Sequence, residues 1–360
     1  ANEKIQAIAT FVRDDIRYVA VEIGKGRWQP RPAATTLHNR FGDCKDKTTL
    51  MREMLKAAGI PSRAVLANTT HSVKPDLPTP FQFNHCIVAI PRSALSEPAA
   101  WADACAGGWF FFDPTHPSTR PGQIPDGLLG DYVLIASEND STFYRLPERS
   151  PDSYRRAYDI VATLAQDGSV SAEVNVRDYG LRAADTRYEF STTPPEKEKL
   201  AWTQYLSKLN PGVDITEYRN GSAGDTAWES FRIRYPKYLV HAGGLNLLKP
   251  DLIHSGEPPL LTREQRVHPI NFGSARLTAT SILWHLPPGW AVEGDMVPLS
   301  AGCESGNVEA RVRVSNDTLR YDLTETYTGA MLGASQYGVA RKFNRDLSSA
   351  KGMTLLIKRP

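Results

Sequence analysis

What these 360 residues lack narrows the field first. No apolar run approaches the roughly 20 residues that a membrane-crossing helix needs. Residues 1–20 read as a charged amphipathic helix rather than a secretory signal. Ala1-Asn2-Glu3 reads as a chain cut just before that helix, which leaves room for a leader or an upstream domain. Excess charge of either sign is also missing: 42 Lys and Arg against 40 Asp and Glu leave a formal charge of +2. Nothing here points to nucleic acid or to an anionic membrane. Cysteine is scarce, with Cys44, Cys86, Cys105 and Cys303 making 4 in all. That is too few for a disulfide scaffold, and no pair has the C-x-x-C spacing of a zinc ribbon or a dithiol redox site. A Cys86–Cys105 bridge and the redox compartment both stay open. There is no nucleotide loop, repeat or metal-ligand cluster. His241, His254, His268 and His285 are scattered, as structural or surface histidines are, so no metal and no cofactor is implied.

What is present is ordinary in bulk, 41% hydrophobic and 23% charged, with length for two or three domains and ample core. One stretch stands out, Phe41-Gly42-Asp43-Cys44-Lys45-Asp46-Lys47-Thr48. Asp43 is a good N-cap, and Asp46 three residues on can close a capping box. Leu50, Met51, Met54 and Leu55 then recur at helical spacing until Gly59-Ile60-Pro61 stops the helix. Cys44 falls at the first helical position, where free backbone N–H groups, the helix dipole and two neighbouring lysines favour a thiolate. The residue is either a nucleophile or a small apolar plug at the helix start.

The preceding loop, Gly24 to Pro32, brings Trp28 and Gln29 towards that helix and is read as irregular throughout. Ile16–Ile23 reads as a strand before it. Downstream, Asn84-His85 opens an apolar strand, and Trp109-Phe110-Phe111-Phe112 is a strand ending in Asp113-Pro114-Thr115. If these strands pair antiparallel, the start of one lies beside the end of the other, and His85 meets Asp113. Taken singly, His85 reads as a core histidine and Asp113 as a turn acid. Together with Cys44 they have defined roles: thiolate nucleophile, imidazole base and acid, and ring-orienting carboxylate. Cys86, next to His85, is expected to turn the other way, into core. A helix followed by antiparallel strands indicates an α+β fold.

These three contexts, in the order Cys, His, Asp, resemble the transglutaminase-like core, a papain-like cysteine fold. The Gly-Asp-Cys-Lys-Asp-Lys form is similar to a bacterial branch in which this core is flanked by β-rich domains of unknown function. The likeness covers about residues 1–136. It implies Cys44 as nucleophile, His85 as base and Asp113 as its orienting acid. It implies cysteine-dependent acyl transfer on peptide or protein amides, resolved by water or by an amine acceptor, and a periplasmic or secreted location with the cytoplasm left open. Trp28, Gln29 and Asn84 are candidates for the oxyanion or substrate cleft, together with the Cys44 backbone N–H. The long stretch between Ile90 and Trp109 departs from the compact pattern and is expected to reshape the cleft edge. The alternative from another class is a catalytically idle module that binds a peptide or a cell-envelope partner.

After about residue 137 the sequence turns β-rich. Tyr158–Leu164 and Val170–Val176 flank Asp167-Gly168 as a hairpin. Pro194 opens a helix to Leu209, further strands alternate apolar and polar residues as a sheet with one wet face does, and Phe343 lies in a late helix. The expected division is a core at 1–150, an α+β region at 151–260 and a β-rich, sandwich-like domain at 261–360.

Overall fold

The computed structural model describes residues 1–20, 24–137, 141–254, 260–294 and 296–359, apart from the Lys25 side chain. Residues 21–23, the end of the expected first strand, lie outside the described set, as do parts of the 138–156 and 243–259 connectors. The chain forms two compact units, Ala1–Arg149 and Ser150–Pro360.

In the first unit, helix α1 (Asn2–Asp14) buries Ile5, Ala9 and Val12. Strand β1 is only Arg17–Tyr18 and pairs parallel with β2 (Phe41–Gly42). Between them a single turn at Gly24–Arg27 and a helix α2 (Ala33–Asn39) replace the expected irregular run. Pro32 supplies the N-terminal stop of α2, and seven residues with adjacent threonines leave too weak a period to see in sequence. Helix α3 (Cys44–Ala57) has the capping box, with Asp43 accepting from the Asp46 N–H. Gly42 has a steric reason: a Cβ there would sit 2.6 Å from the Asp46 Cβ and 3.1 Å from Thr36 Cγ2. Any side chain would push the cap off the helix start.

A sheet follows, in the order β5–β6–β4–β3–β7–β8. Its strands are β3 (Arg63–Ala67), β4 (His85–Pro91), β5 (Cys105–Ala106), β6 (Trp109–Phe112), β7 (Tyr132–Ile135) and β8 (Thr142–Arg145). The β4–β6 pair is antiparallel, with Val88 opposite Phe112. Phe110, Phe111 and Phe112 are buried with Ile87, Val88 and Ile90 against Leu50, Met51 and Leu55 of α3. The 91–108 stretch folds as two short 3₁₀ turns, at Arg92–Ala94 and Pro98–Ala104. It stacks Trp101 on Phe110 at 4.8 Å and ties Ser96 to Asn2 of α1. It packs against α1 and the sheet end rather than forming a cleft edge.

The second unit has one eight-stranded sheet, ordered β11–β12–β10–β9–β15–β19–β18–β17. Its members are β9 (Tyr154–Leu164), β10 (Val170–Tyr179), β11 (Asp214–Ala223), β12 (Thr226–Tyr235), β15 (Arg276–His285), β17 (Leu299–Cys303), β18 (Gly306–Ser315) and β19 (Thr318–Tyr327). The hairpin β9–β10 has Leu164 opposite Val170, as the Asp-Gly turn demands. Alternate residues of β9, such as Ile160, Ala162 and Leu164, are buried, and those between them are exposed. Helices α4 (Gly180–Thr192), α5 (Pro195–Leu209) and α6 (Tyr337–Lys351) lie against this sheet. A small sheet adds β13 (Val240–Ala242), β14 (Leu245–Leu248), β16 (Ala291–Glu293) and β20 (Leu355–Lys358). The expected boundary at 260/261 is not one, because β15 pairs in parallel with β9 over nine positions from Leu277 to His285. A single sheet thus draws strands from both sides of that point, and no cut there leaves two cores.

The apolar cores of the two units share no residue: one runs from Ile5 to Leu146, the other from Tyr158 to Ile357. Residues 1–149 expressed alone should therefore fold, with a cooperative melt and the circular dichroism of a mixed α/β protein. A non-cooperative melt would show that this core depends on later residues.

Candidate functional site

Cys44 is the first residue of α3. The backbone N–H groups of Cys44 and Lys45 have no partner within the helix, whereas that of Asp46 goes to the Asp43 carboxylate. The two flanking lysines differ from expectation. Lys45 is paired with Asp43. Lys47 is buried, and its Nζ donates to the carbonyls of Arg13 and Ile16 at 3.2 and 2.7 Å. Burial lowers the Lys47 pKa to about 8, although Asp113 and Asp14 favour its charge. It works as a buried clamp between α3 and the end of α1.

His85 begins β4, and Asp113 follows the last residue of β6, so the antiparallel pair brings them together as the sequence suggested. His85 Nε2 lies 2.7 Å from Asp113 Oδ2. The Cys44 side chain is also near enough to the ring to favour its charge. With Nε2 committed to the carboxylate, Nδ1 is the nitrogen left for the thiol. Asp113 is held by a partner the sequence did not single out. Thr115 donates its backbone N–H at 2.8 Å and its hydroxyl at 2.7 Å to Asp113 Oδ1. The motif's Pro-Thr ending therefore forms an Asx-type turn that fixes the carboxylate.

Burial of His85 opposes its charge, but Asp113 and Cys44 outweigh it and push the pKa up from 6.5 to about 10. For Asp113 burial would raise the carboxyl pKa, and His85 with the Thr115 hydrogen bonds holds it below the usual carboxylate range. The two directions agree on a charged His85–Asp113 pair that is almost wholly shielded from water.

A cleft of about 450 Å³ opens over Cys44 and His85. Its apolar walls include Trp28, Leu66, Phe81 and Phe83. Trp28 meets Phe81 edge-on at 5.8 Å and carries Arg27 over its ring. Asn84 also lines the cleft, but its side chain is engaged with the 69–70 loop: it accepts from the Thr69 N–H at 3.0 Å and donates to the Thr70 hydroxyl at 3.1 Å. Gln29 is exposed and is not among the lining residues. Asp113 lies behind His85 rather than in the cleft. Of the six expected residues, Cys44, His85, Trp28 and Asn84 meet at the cleft, Asp113 stands behind it, and Gln29 stays apart.

Cys86 is buried, as expected, but core is not its whole surroundings. It lines the same cleft, and the Thr48 hydroxyl of α3 donates to its backbone carbonyl at 3.0 Å. Burial pushes the Cys86 pKa up to about 12 and that of Cys105 upwards as well. All four cysteines are free, Cys86 and Cys105 included. Among the described residues no group of three or more His, Cys, Asp or Glu side chains could hold a metal ion. No helix among them is long and apolar enough to cross a membrane.

Residues 1–114 match the family model of the transglutaminase-like superfamily. No curated protein matches the chain. Among solved structures, a candidate protease from Parabacteroides distasonis is similar in fold, with a TM-score of 0.51 and 13% identity. The match covers 99% of this chain and 52% of that one, so this chain spans about half that protein's length. At such identity the likeness speaks for the fold. It runs through both units, whereas the family match is confined to the unit that holds Cys44, His85 and Asp113. The N-terminal unit of this chain thus matches the transglutaminase-like superfamily over residues 1–114.

Proposed function

We propose that the cleft of the first unit carries cysteine-dependent acyl transfer on peptide or protein amides. The observation behind this reading is the continuous chain from Cys44 through His85 to Asp113 beneath an open cleft. The Cys44 sulfur, its proton already held by the charged His85, attacks an amide carbonyl. The C–N bond breaks, the amine leaves with the proton from His85, and a thioester remains. Water or a second amine then attacks the thioester, giving its proton to His85, and the C–S bond breaks to free the thiolate beside the recharged imidazole. The backbone N–H of Cys44 is the donor proposed for the oxyanion, and the Trp28 indole at the cleft is the candidate for another. Gln29 and Asn84 are weaker donors, the one for its exposure and the other for its existing partners.

The order of helix-borne cysteine, strand-borne histidine and following acid supports the papain-like form of the core. The second unit, with its buried side under helices and its other face wet, suits positioning or partner binding. The family resemblance favours the periplasm or the cell exterior. The other reading, an idle module that holds a peptide, keeps the cleft without the reaction.

Labelling separates the two. At pH 6, iodoacetamide should modify Cys44 ahead of Cys86 and Cys105, whose thiols burial disfavours as thiolates. Intact mass after brief exposure to a small thioester or activated ester should then show one acyl adduct, on Cys44, that disappears when a primary amine is added. Faster labelling of Cys86 or Cys303, or no adduct on Cys44, would leave the idle module as the better account.

A further inference from the structure

Helix α3 points more than one side chain into the cleft. Cys44, Thr48 and Arg52 all line it. They are spaced four residues apart, which stacks them on one face of a helix over about 12 Å. The wall opposite is Ala64, Leu66 and Cys86 of β3 and β4.

The charge along this cleft is one-sided. Besides His85, whose charge Asp113 already balances, its cations are Arg27, Lys45 and Arg52, and no aspartate or glutamate is among its lining residues. Two of the three are already occupied: Lys45 by Asp43, and Arg27 as an exposed side chain over the Trp28 ring. Arg52 is different. Among the described residues it makes no hydrogen bond or ion pair, and its Nε is buried without a partner. A buried guanidinium N–H without a partner is costly, and native chains rarely keep one without a use. A second cavity at the other end of α3 also touches Arg52, but there Glu53, Lys56 and Arg63 offer mixed charge. Of the two cavities that touch Arg52, the cleft over Cys44 is the one walled by apolar side chains and free of carboxylates.

Resting on the acyl-transfer reading above, we infer that Arg52 anchors a carboxylate of the substrate, so that the cleft selects peptides bearing a negative charge a short distance from the amide presented to Cys44. An extended peptide advances about 3.4 Å per residue, so two residues and the reach of the arginine span the helix face from Cys44 to Arg52. The planar fork of a guanidinium suits a carboxylate better than a lysine ammonium does. The carboxylate is either the C-terminus of a short peptide or the side chain of an acidic residue. Arg52 is a positioning residue in this scheme and takes no part in bond making.

The test uses the full chain and bromoacetyl-dipeptide probes, in which a thiolate displaces bromide. One probe ends in a free carboxylate (bromoacetyl-Ala-Ala-OH) and one carries it on a side chain (bromoacetyl-Ala-Glu-amide). A third, bromoacetyl-Ala-Gln-amide, is neutral. The rate of Cys44 modification is followed by peptide mass spectrometry. At least one acidic probe should label Cys44 about tenfold faster than the neutral one, as a hydrogen-bonded charge pair worth about 1.5 kcal/mol implies. Which acidic probe is favoured assigns the source of the carboxylate. Arg52→Gln should erase the preference while changing the neutral probe's rate less than about twofold, and Arg52→Lys should restore only part of it. Equal rates for all three probes on Cys44 would overturn the role of Arg52 and leave the acyl-transfer reading standing. So would a preference that persists in Arg52→Gln. A chain whose Cys44 reacts with none of them would overturn both. Should Arg52→Gln fail to fold, protection of wild-type Cys44 from iodoacetamide decides: acetyl-Ala-Ala-OH or acetyl-Ala-Glu-amide must protect where acetyl-Ala-Gln-amide does not, and equal protection by all refutes the anchor.

Discussion

Cys44→Ala and His85→Ala should each lower acyl transfer by about three orders of magnitude or more, with little effect on folding. The two residues serve one step, so losing either removes it, and the double variant should be scarcely worse than either single one. Cys44 is at the helix start, where alanine is tolerated, and its removal opens a small gap beside an existing cleft rather than a closed cavity. His85→Ala leaves the buried Asp113 with Thr115 as its remaining hydrogen-bond partner, so its melting temperature should fall more than that of Cys44→Ala. Turnover of a small activated ester, alongside thermal melts, measures both. Near-full turnover in either variant would remove that residue from the reaction.

Asp113→Asn should cost about two to four orders of magnitude, for a reason that lies in the tautomer. In the wild type, His85 Nε2 faces Asp113 Oδ2, so that nitrogen keeps its proton and Nδ1 is the one that holds and releases the proton taken from the thiol. Thr115 donates twice to the other carboxylate oxygen. An asparagine that keeps those two bonds must turn its NH₂ towards Nε2. The ring then accepts at Nε2 and carries its proton at Nδ1, where it cannot take one from Cys44. The same change should alter stability against pH. The folded-state pKa of His85 is raised from 6.5 to about 10. A raised base stabilises the fold fully below pH 6.5, and that contribution is lost as pH rises through about 10. Without the carboxylate, burial dominates and disfavours the charged ring. Melts of the wild type should therefore decline between pH 6.5 and 10 more steeply than those of Asp113→Asn, once other groups are subtracted by comparing the two chains. Unchanged kinetics and parallel melt curves would assign Asp113 to a turn and nothing more.

Much of the site lies in local sequence because its geometry is local. Asp43 and Asp46 define the helix start within four residues, and Cys44 has no other place to be than the first turn. Phe112-Asp113-Pro114-Thr115 ends its strand by proline and Asx chemistry, which also acts over a few residues. The pairing of His85 with Asp113 needs one long-range assumption, an antiparallel partner, and runs of apolar residues on both strands make it a natural one. The hairpin at Asp167-Gly168 is legible for the same reason.

What escaped local reading depends on contacts that no short window holds. Helix α2 is stabilised by packing on α3 and β2, not by a strong period of its own. The sheet of the second unit joins β9 to β15 across more than a hundred residues, and nothing in either strand names the other. Lys47 looks like a solvated charge in sequence, yet two carbonyls at the end of α1 take it into the interior. Cys86 alternates with His85 as a strand requires, but only the placement of Thr48 beside it makes its side a cleft wall rather than core. The four-residue spacing of Cys44, Thr48 and Arg52 is visible in the sequence. That β3 and β4 stand opposite, apolar and without a carboxylate, is a property of the folded unit alone. Propensity, capping and turn chemistry act between near neighbours, so they survive in the linear chain. Burial and the sign of the field at a given atom sum over everything the fold brings near, and only the tertiary structure decides them.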